Sequence, residues 1–144
     1  IDKNTIIKKE NLFAPQKFPD EIFSLLGAPL TKWVMSLLDE LSVTEDPIIE
    51  GDIHPTSTVE GRVFIHAKAK VEPHCYIKGP TYIGPESEVR HGAYIRGSVF
   101  VGKKCVVGHT SEVKGSVFLD GAKAGHFLAR LTPPGGRSPN GGLK

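Results

Sequence analysis

From Ile53 to Leu119 an aliphatic residue stands at every sixth position: Ile53, Val59, Ile65, Val71, Ile77, Ile83, Val89, Ile95, Val101, Val107, Val113 and Leu119. All are Ile, Val or Leu, which together fill only 34 of the 144 positions. Independent draws at that frequency would produce such a run less than about once in a million trials. Four residues after each lies a second series: Ser57, Val63, Ala69, Cys75, Thr81, Ser87, Ala93, Val99, Cys105, Ser111, Val117 and Lys123. All but the last are small or slim. A period of six matches neither the 3.6 of an α-helix nor the 2 of an ordinary strand. It specifies short strands joined by tight corners, a hexapeptide β-helix.

Within each repeat the slim residue and the next aliphatic residue are two apart, so both point inward and the residue between them points out. Gly, Pro, Asp, Glu and His crowd the remaining positions, as corners require. The pattern resembles the left-handed β-helix of the hexapeptide-repeat transferases, in which three repeats close one triangular coil. That resemblance implies a mainly β fold: a single-stranded left-handed β-helix of about four coils over residues 47–126. A helical appendage over 1–46 precedes it, and an irregular or disordered tail over 127–144 follows. Residues eighteen apart then stack about 4.8 Å from one another.

This stacking rule sorts the outward residues into ladders. Phe64, Tyr82, Phe100 and Phe118 form an aromatic stripe too apolar to be left in water. Either the N-terminal helices or neighbouring subunits must cover it, and the family's usual trimer favours the subunits. Thr58, Tyr76, Tyr94 and Glu112 form a second ladder, and Lys70, Glu88, Val106 and Ala124 a third, solvated one.

Ahead of the coil, Pro19-Asp20-Glu21 starts a short helix that runs to about Leu26 and stops at Gly27 and Pro29. Thr31 is placed to cap a second helix. Its apolar face is Trp33, Val34, Leu37, Leu38 and Leu41, and Thr44 to Pro47 closes it. The expected role of this pair is packing against a side or end of the coil. After Lys123 the repeat fails, with Gly125 in the aliphatic slot and a Pro- and Gly-rich stretch beyond. A net charge of +2 is too weak to argue for nucleic acid. No apolar run approaches membrane-spanning length and no signal peptide is evident, so cytoplasm is the expected location. Cys75 and Cys105 occupy inward slim positions on different faces and read as core thiols, neither disulfide nor metal pair.

Corner positions also stack at spacing eighteen. Glu60, Lys78, Arg96 and Lys114 form one ladder, whose three cations must either splay into water or share an anion such as phosphate or pyrophosphate. A second ladder is His54, Glu72, Arg90, Gly108 and His126, and a third is His66, Gly84, Gly102 and Asp120. No zinc-ligand spacing, nucleophilic triad or phosphate-binding Gly loop is present.

The segment Lys123-Ala124-Gly125-His126 is similar to the Lys-Ala-Gly-His of the acetyltransferase domain of bifunctional N-acetylglucosamine-1-phosphate uridyltransferases. Val107-Gly108-His109-Thr110-Ser111-Glu112-Val113-Lys114 resembles that family's Val-Gly-Asn-Phe-Val-Glu-Met-Lys, with the same twelve-residue spacing from Lys to His. Val89-Arg90-His91-Gly92-Ala93 resembles its Leu-Arg-Pro-Gly-Ala. The resemblance implies that His126 is a general base for amine attack on acetyl-CoA, a co-substrate rather than a bound cofactor. It implies that Lys114 and an arginine hold a sugar phosphate or nucleotide sugar and that the protein is a homotrimer; the residue spacing itself gives no expected metal site. Six extra residues separate Arg90 from Lys114 here. Arg96 therefore holds the position eighteen before Lys114, and either arginine suits the role. The chain also departs from the family after His126: Phe127-Leu128-Ala129-Arg130 lacks the substrate-contacting Tyr, and the coils that hold acetyl-CoA have no counterpart. Two readings follow, a sugar-nucleotide-related acyltransferase-like protein or a non-catalytic trimeric β-helix scaffold or sugar-phosphate binding module.

Overall fold

The structure, a computed structural model, describes residues 28–124. One helix, α1 (Ala28–Glu40), precedes a series of two- and three-residue strands. The first sheet stacks β1 (Ile48–Ile49), β4 (Val63–Ile65), β7 (Thr81–Ile83), β10 (Val99–Val101) and β13 (Ser116–Phe118). The second stacks β2 (Asp52–Ile53), β5 (Lys70–Val71), β8 (Glu88–Val89), β11 (Val106–Val107) and β14 (Lys123–Ala124). The third stacks β3 (Thr58–Glu60), β6 (Tyr76–Lys78), β9 (Tyr94–Ile95) and β12 (Glu112–Val113). Successive strands pass from one sheet to the next and every pairing is parallel. The chain therefore winds as a three-sided single-stranded β-helix. The inward residues form one core, including Ile65, Val71, Ile77, Ile83, Val89 and Ile95, each at most 2% exposed.

Most rungs keep the eighteen-residue spacing, as in Tyr76 with Tyr94 and Val71 with Val89. The last coil does not. Glu112 still pairs with Tyr94, but Phe100 pairs with Val117, Val101 with Phe118, and Val106 with Lys123, each seventeen apart. The cause is a corner one residue shorter: only Lys114-Gly115 joins β12 to β13, where Arg96-Gly97-Ser98 joins β9 to β10. A one-residue slip exchanges the two faces of a strand. Phe118, expected on the outer aromatic stripe, points into the coil core, and Val117, expected inside, lies on the outer face. The same slip accounts for the one charged member of the slim series. Lys123 is exposed, and Ala122 takes the inward place at 6% exposure. Ala124 pairs with Val107, so the third outward ladder ends in Lys123 rather than Ala124.

The first corner is short as well. Ile48 pairs with Phe64, sixteen residues on, because Glu50-Gly51 does the work that His66 to Ala69 does one coil later. Gly51 is required there, since a Cβ would lie 2.5 Å from the carbonyl oxygen of His66 and 2.7 Å from that of Ala69.

Helix α1 lies across the outer face of the first sheet. Leu30, Val34, Leu37 and Leu38, at helical spacing, bury themselves against Phe64, Tyr82 and Phe100. The rings stack, with centroids 5.8 Å apart for Phe64 and Tyr82 and 5.1 Å for Tyr82 and Phe100. Trp33 meets Phe100 edge-on at 5.0 Å. The aromatic stripe is therefore covered within the chain. Phe64 and Tyr82 are 2% and 1% exposed, so the reason given for a subunit interface along this stripe does not hold. Thr31 does not cap the helix. It lies within the first turn, which Pro29 suits because a missing N–H costs nothing there, and its hydroxyl contacts that of Ser98 at 2.6 Å. At the other end Ser42 adopts φ 62°. The Val43 N–H returns to Leu38 O at 2.9 Å and the Ser42 N–H to Asp39 O at 3.0 Å, a Schellman closure with Ser at the left-handed position. Arg62 then clamps this end to the coil, donating to Val43 O and pairing with Asp39. The expected helix ending near Leu26 and the expected tail lie outside the described residues.

Candidate functional site

With the first sheet under α1, the third sheet presents its outer face to solvent. Strand residues two apart share a side, so two columns run up this face. One is Thr58, Tyr76, Tyr94 and Glu112; the other is Glu60, Lys78, Arg96 and Lys114. Backbone pairing fixes their order: Glu60 faces Lys78, and the Arg96 N–H bonds to Val113 O at 2.8 Å, setting Lys114 on the next rung. All three cations are exposed. Diagonal bonds tie the columns together. The Tyr76 hydroxyl donates to Glu60 Oε2 at 2.6 Å, which raises its pKa above the ordinary phenol value. Arg96 Nη1 donates to Glu112 Oε2 at 2.7 Å, and its guanidinium carbon sits 5.9 Å from the Tyr94 ring centroid. Lys78 and Lys114 make no ion pair among the described residues. The repulsion between stacked cations is thus relieved at the middle rung by a carboxylate, leaving a lysine on the rung to either side.

Of the expected substrate-binding residues, Lys114 and Arg96 come together on this edge and Arg90 does not. Arg90 follows β8 on the second sheet and pairs with Glu88 at 3.0 Å. His126 lies outside the described residues. The eighteen-residue count that set it above Gly108 is already broken at Ala124. Sequence reasoning missed the diagonal partners Glu60 and Glu112. The signal was available: each lies sixteen residues from its partner, one coil less two residues along the strand.

The other chemistry-bearing residues are structural. Cys75 and Cys105 are free and buried, as expected, and burial pushes both thiols above their ordinary pKa. Their sulfurs contact the carbonyl oxygens of Arg90 and Leu119, both at 3.1 Å. No group of three His, Cys, Asp or Glu among the described residues is arranged to hold a metal, and no helix among them is long and apolar enough to cross a membrane.

His66 is the exception to the solvated corners. It is 4% exposed, its Nδ1 accepts the Lys68 N–H at 3.1 Å, and its Nε2 has no hydrogen-bond partner among the described residues. Burial holds its pKa below the ordinary histidine value, with Glu50 opposing and Lys68 adding to the effect. Below pH about 6.5 the unfolded chain binds a proton that the folded chain refuses. This contribution to stability is therefore whole above that pH. It declines as pH falls toward the lowered folded value, at no more than about 1.4 kcal/mol per pH unit. His66→Asn keeps an acceptor for Lys68 and removes the titration. Urea unfolding of both proteins from pH 5 to 8 should show the wild type losing more stability on acidification. Parallel pH profiles would contradict the assignment.

Comparison of the sequence with protein-family models and with curated proteins returned no match.

Proposed function

We propose that this β-helix is an acyltransferase-like protein of sugar-nucleotide chemistry, whose described part supplies the edge that holds the ligand's phosphate. The observation that carries the reading is the placement of Lys78, Arg96 and Lys114 on successive coils of one edge, with Arg96 oriented by Glu112. A phosphate or pyrophosphate held by Lys78 and Lys114, the cations that Glu112 leaves uncompensated, gains charge-assisted hydrogen bonds. The sequence resemblance at Lys114 and at Lys123 to His126 supports an acetyl transfer. In that step the substrate amine attacks the thioester carbonyl, His126 takes the amine proton, and the coenzyme A thiolate leaves. A second reading, a non-catalytic scaffold or sugar-phosphate binding module, is supported by the cation column itself, which calls on no catalytic residue. A homotrimer is proposed under both readings on the resemblance alone, and the cytoplasm is proposed as the default location.

Calorimetric titration with UDP-N-acetylglucosamine tests the edge. Saturable binding is expected, weakened about tenfold by Lys114→Ala, the effect of losing roughly 1.4 kcal/mol of charge-assisted contact. Arg90→Ala, on another face, should leave it unchanged. No heat at millimolar ligand, or an equal loss from Arg90→Ala, would remove the site from this edge. An acetyl-transfer assay on the wild type and His126→Ala then separates the two readings.

A further inference from the structure

Tyr76 and Tyr94 are among the few large apolar side chains left exposed, at 36% and 37%, and they are neighbours on the same face as the cations. Their rings meet at 62° with centroids 5.5 Å apart, so the face of one and the edge of the other open an L-shaped notch. Both sides of the notch are held in place before any ligand arrives: Glu60 fixes the Tyr76 hydroxyl, and Arg96, itself held by Glu112, sits over Tyr94. Little side-chain freedom remains to be lost on binding. The cation column runs two residues along the strands, roughly 6.5–7 Å away. The face thus offers an exposed, angled aromatic pair beside a line of positive charge.

We infer that the Tyr76–Tyr94 pair is a seat for the heterocyclic base of a nucleotide, with the attached phosphates on Lys78 and Lys114. This inference rests on the proposed phosphate edge and, of the two ligand classes that edge admits, selects nucleotides over bare sugar phosphates. The chemistry separates the two classes. A bare sugar phosphate engages the cations alone, whereas a nucleotide also stacks its base, an interaction that tolerates any base because every base has a π-face. The carboxylates of Glu60 and Glu112 border the seat and disfavour a second anion there, so a ligand is oriented with its uncharged ring on the tyrosines.

The test is calorimetric titration of the full chain with UMP and with N-acetylglucosamine-1-phosphate. UMP is expected to bind at least about fivefold tighter, the low end of one base stack. Tyr76→Ala and Tyr94→Ala should each remove that advantage without changing sugar-phosphate binding, while Tyr76→Phe and Tyr94→Phe retain it. Equal binding of the two ligands, or tyrosine variants that bind UMP as the wild type does, overturns the seat and leaves the phosphate edge standing. Absence of binding by either ligand overturns both. Sedimentation of the same variants addresses the remaining occupant: if Tyr94→Ala dissociates an oligomer and leaves UMP affinity unchanged, the notch is a contact between copies and the inference fails.

Discussion

Phe118→Ala is expected to lower the free energy of unfolding by about 3–5 kcal/mol, the cost of removing a buried phenyl ring and leaving its cavity. Phe118 is 4% exposed inside the coil, stacked on Val101. Ser116 stands where the coil below has Val99, so the ring supplies volume that the last coil otherwise lacks. The slip in register can be tested separately, because Phe118 would be buried on either face. Ala122→Lys should damage the fold severely by forcing a charge into the core. Lys123→Ala should be nearly neutral, within about 0.5 kcal/mol as for other exposed sites. Chemical denaturation of the three variants decides the matter. If Lys123→Ala instead stabilises the protein by taking a charge out of the core and Ala122→Lys proves mild, the unbroken eighteen-residue register is correct.

Phe100→Glu is expected to release helix α1 from the coil. Phe100 is 5% exposed between Tyr82 and Trp33, and a carboxylate there cannot be solvated while the helix stays docked. Lost ring burial alone costs roughly 3–5 kcal/mol. Trp33, the chain's single tryptophan, reports the event directly. Its emission should shift to the red, and amides of α1 should exchange faster, while those of the coil interior remain protected. A stripe shared between subunits would behave otherwise: the oligomer would dissociate with the Trp33 environment unchanged. That result would return the stripe to an intermolecular interface.

Much of this architecture was legible in the residue order. The inward aliphatic series holds from Ile53 to Val113, because a residue that must fill a closed coil core repeats with the coil itself. The two buried cysteines, the placement of Arg96 rather than Arg90 beside Lys114, and the exposed tyrosine ladder followed from the same count. The final coil did not. Val117 and Phe118 are both apolar, so either fits the core side of a strand, and the hexad runs on through them without visible interruption. The only outward sign was a lysine in the slim series at 123. The covering of the aromatic stripe was equally undetermined, since an apolar ladder demands a partner without specifying which.

The residue order dictates the period, the inward and outward alternation and hence the three-sided coil, because these depend on burial repeated every six residues. Tertiary structure decided the length of the Lys114-Gly115 corner, which element covers Phe64 to Phe100, and the diagonal bonds of Tyr76 to Glu60 and Arg96 to Glu112. The physical reason is the same for all three. Register and docking are set by hydrogen bonds and contacts between residues distant in the chain, and a repeating pattern of polarity constrains these only to within the residues that are chemically alike.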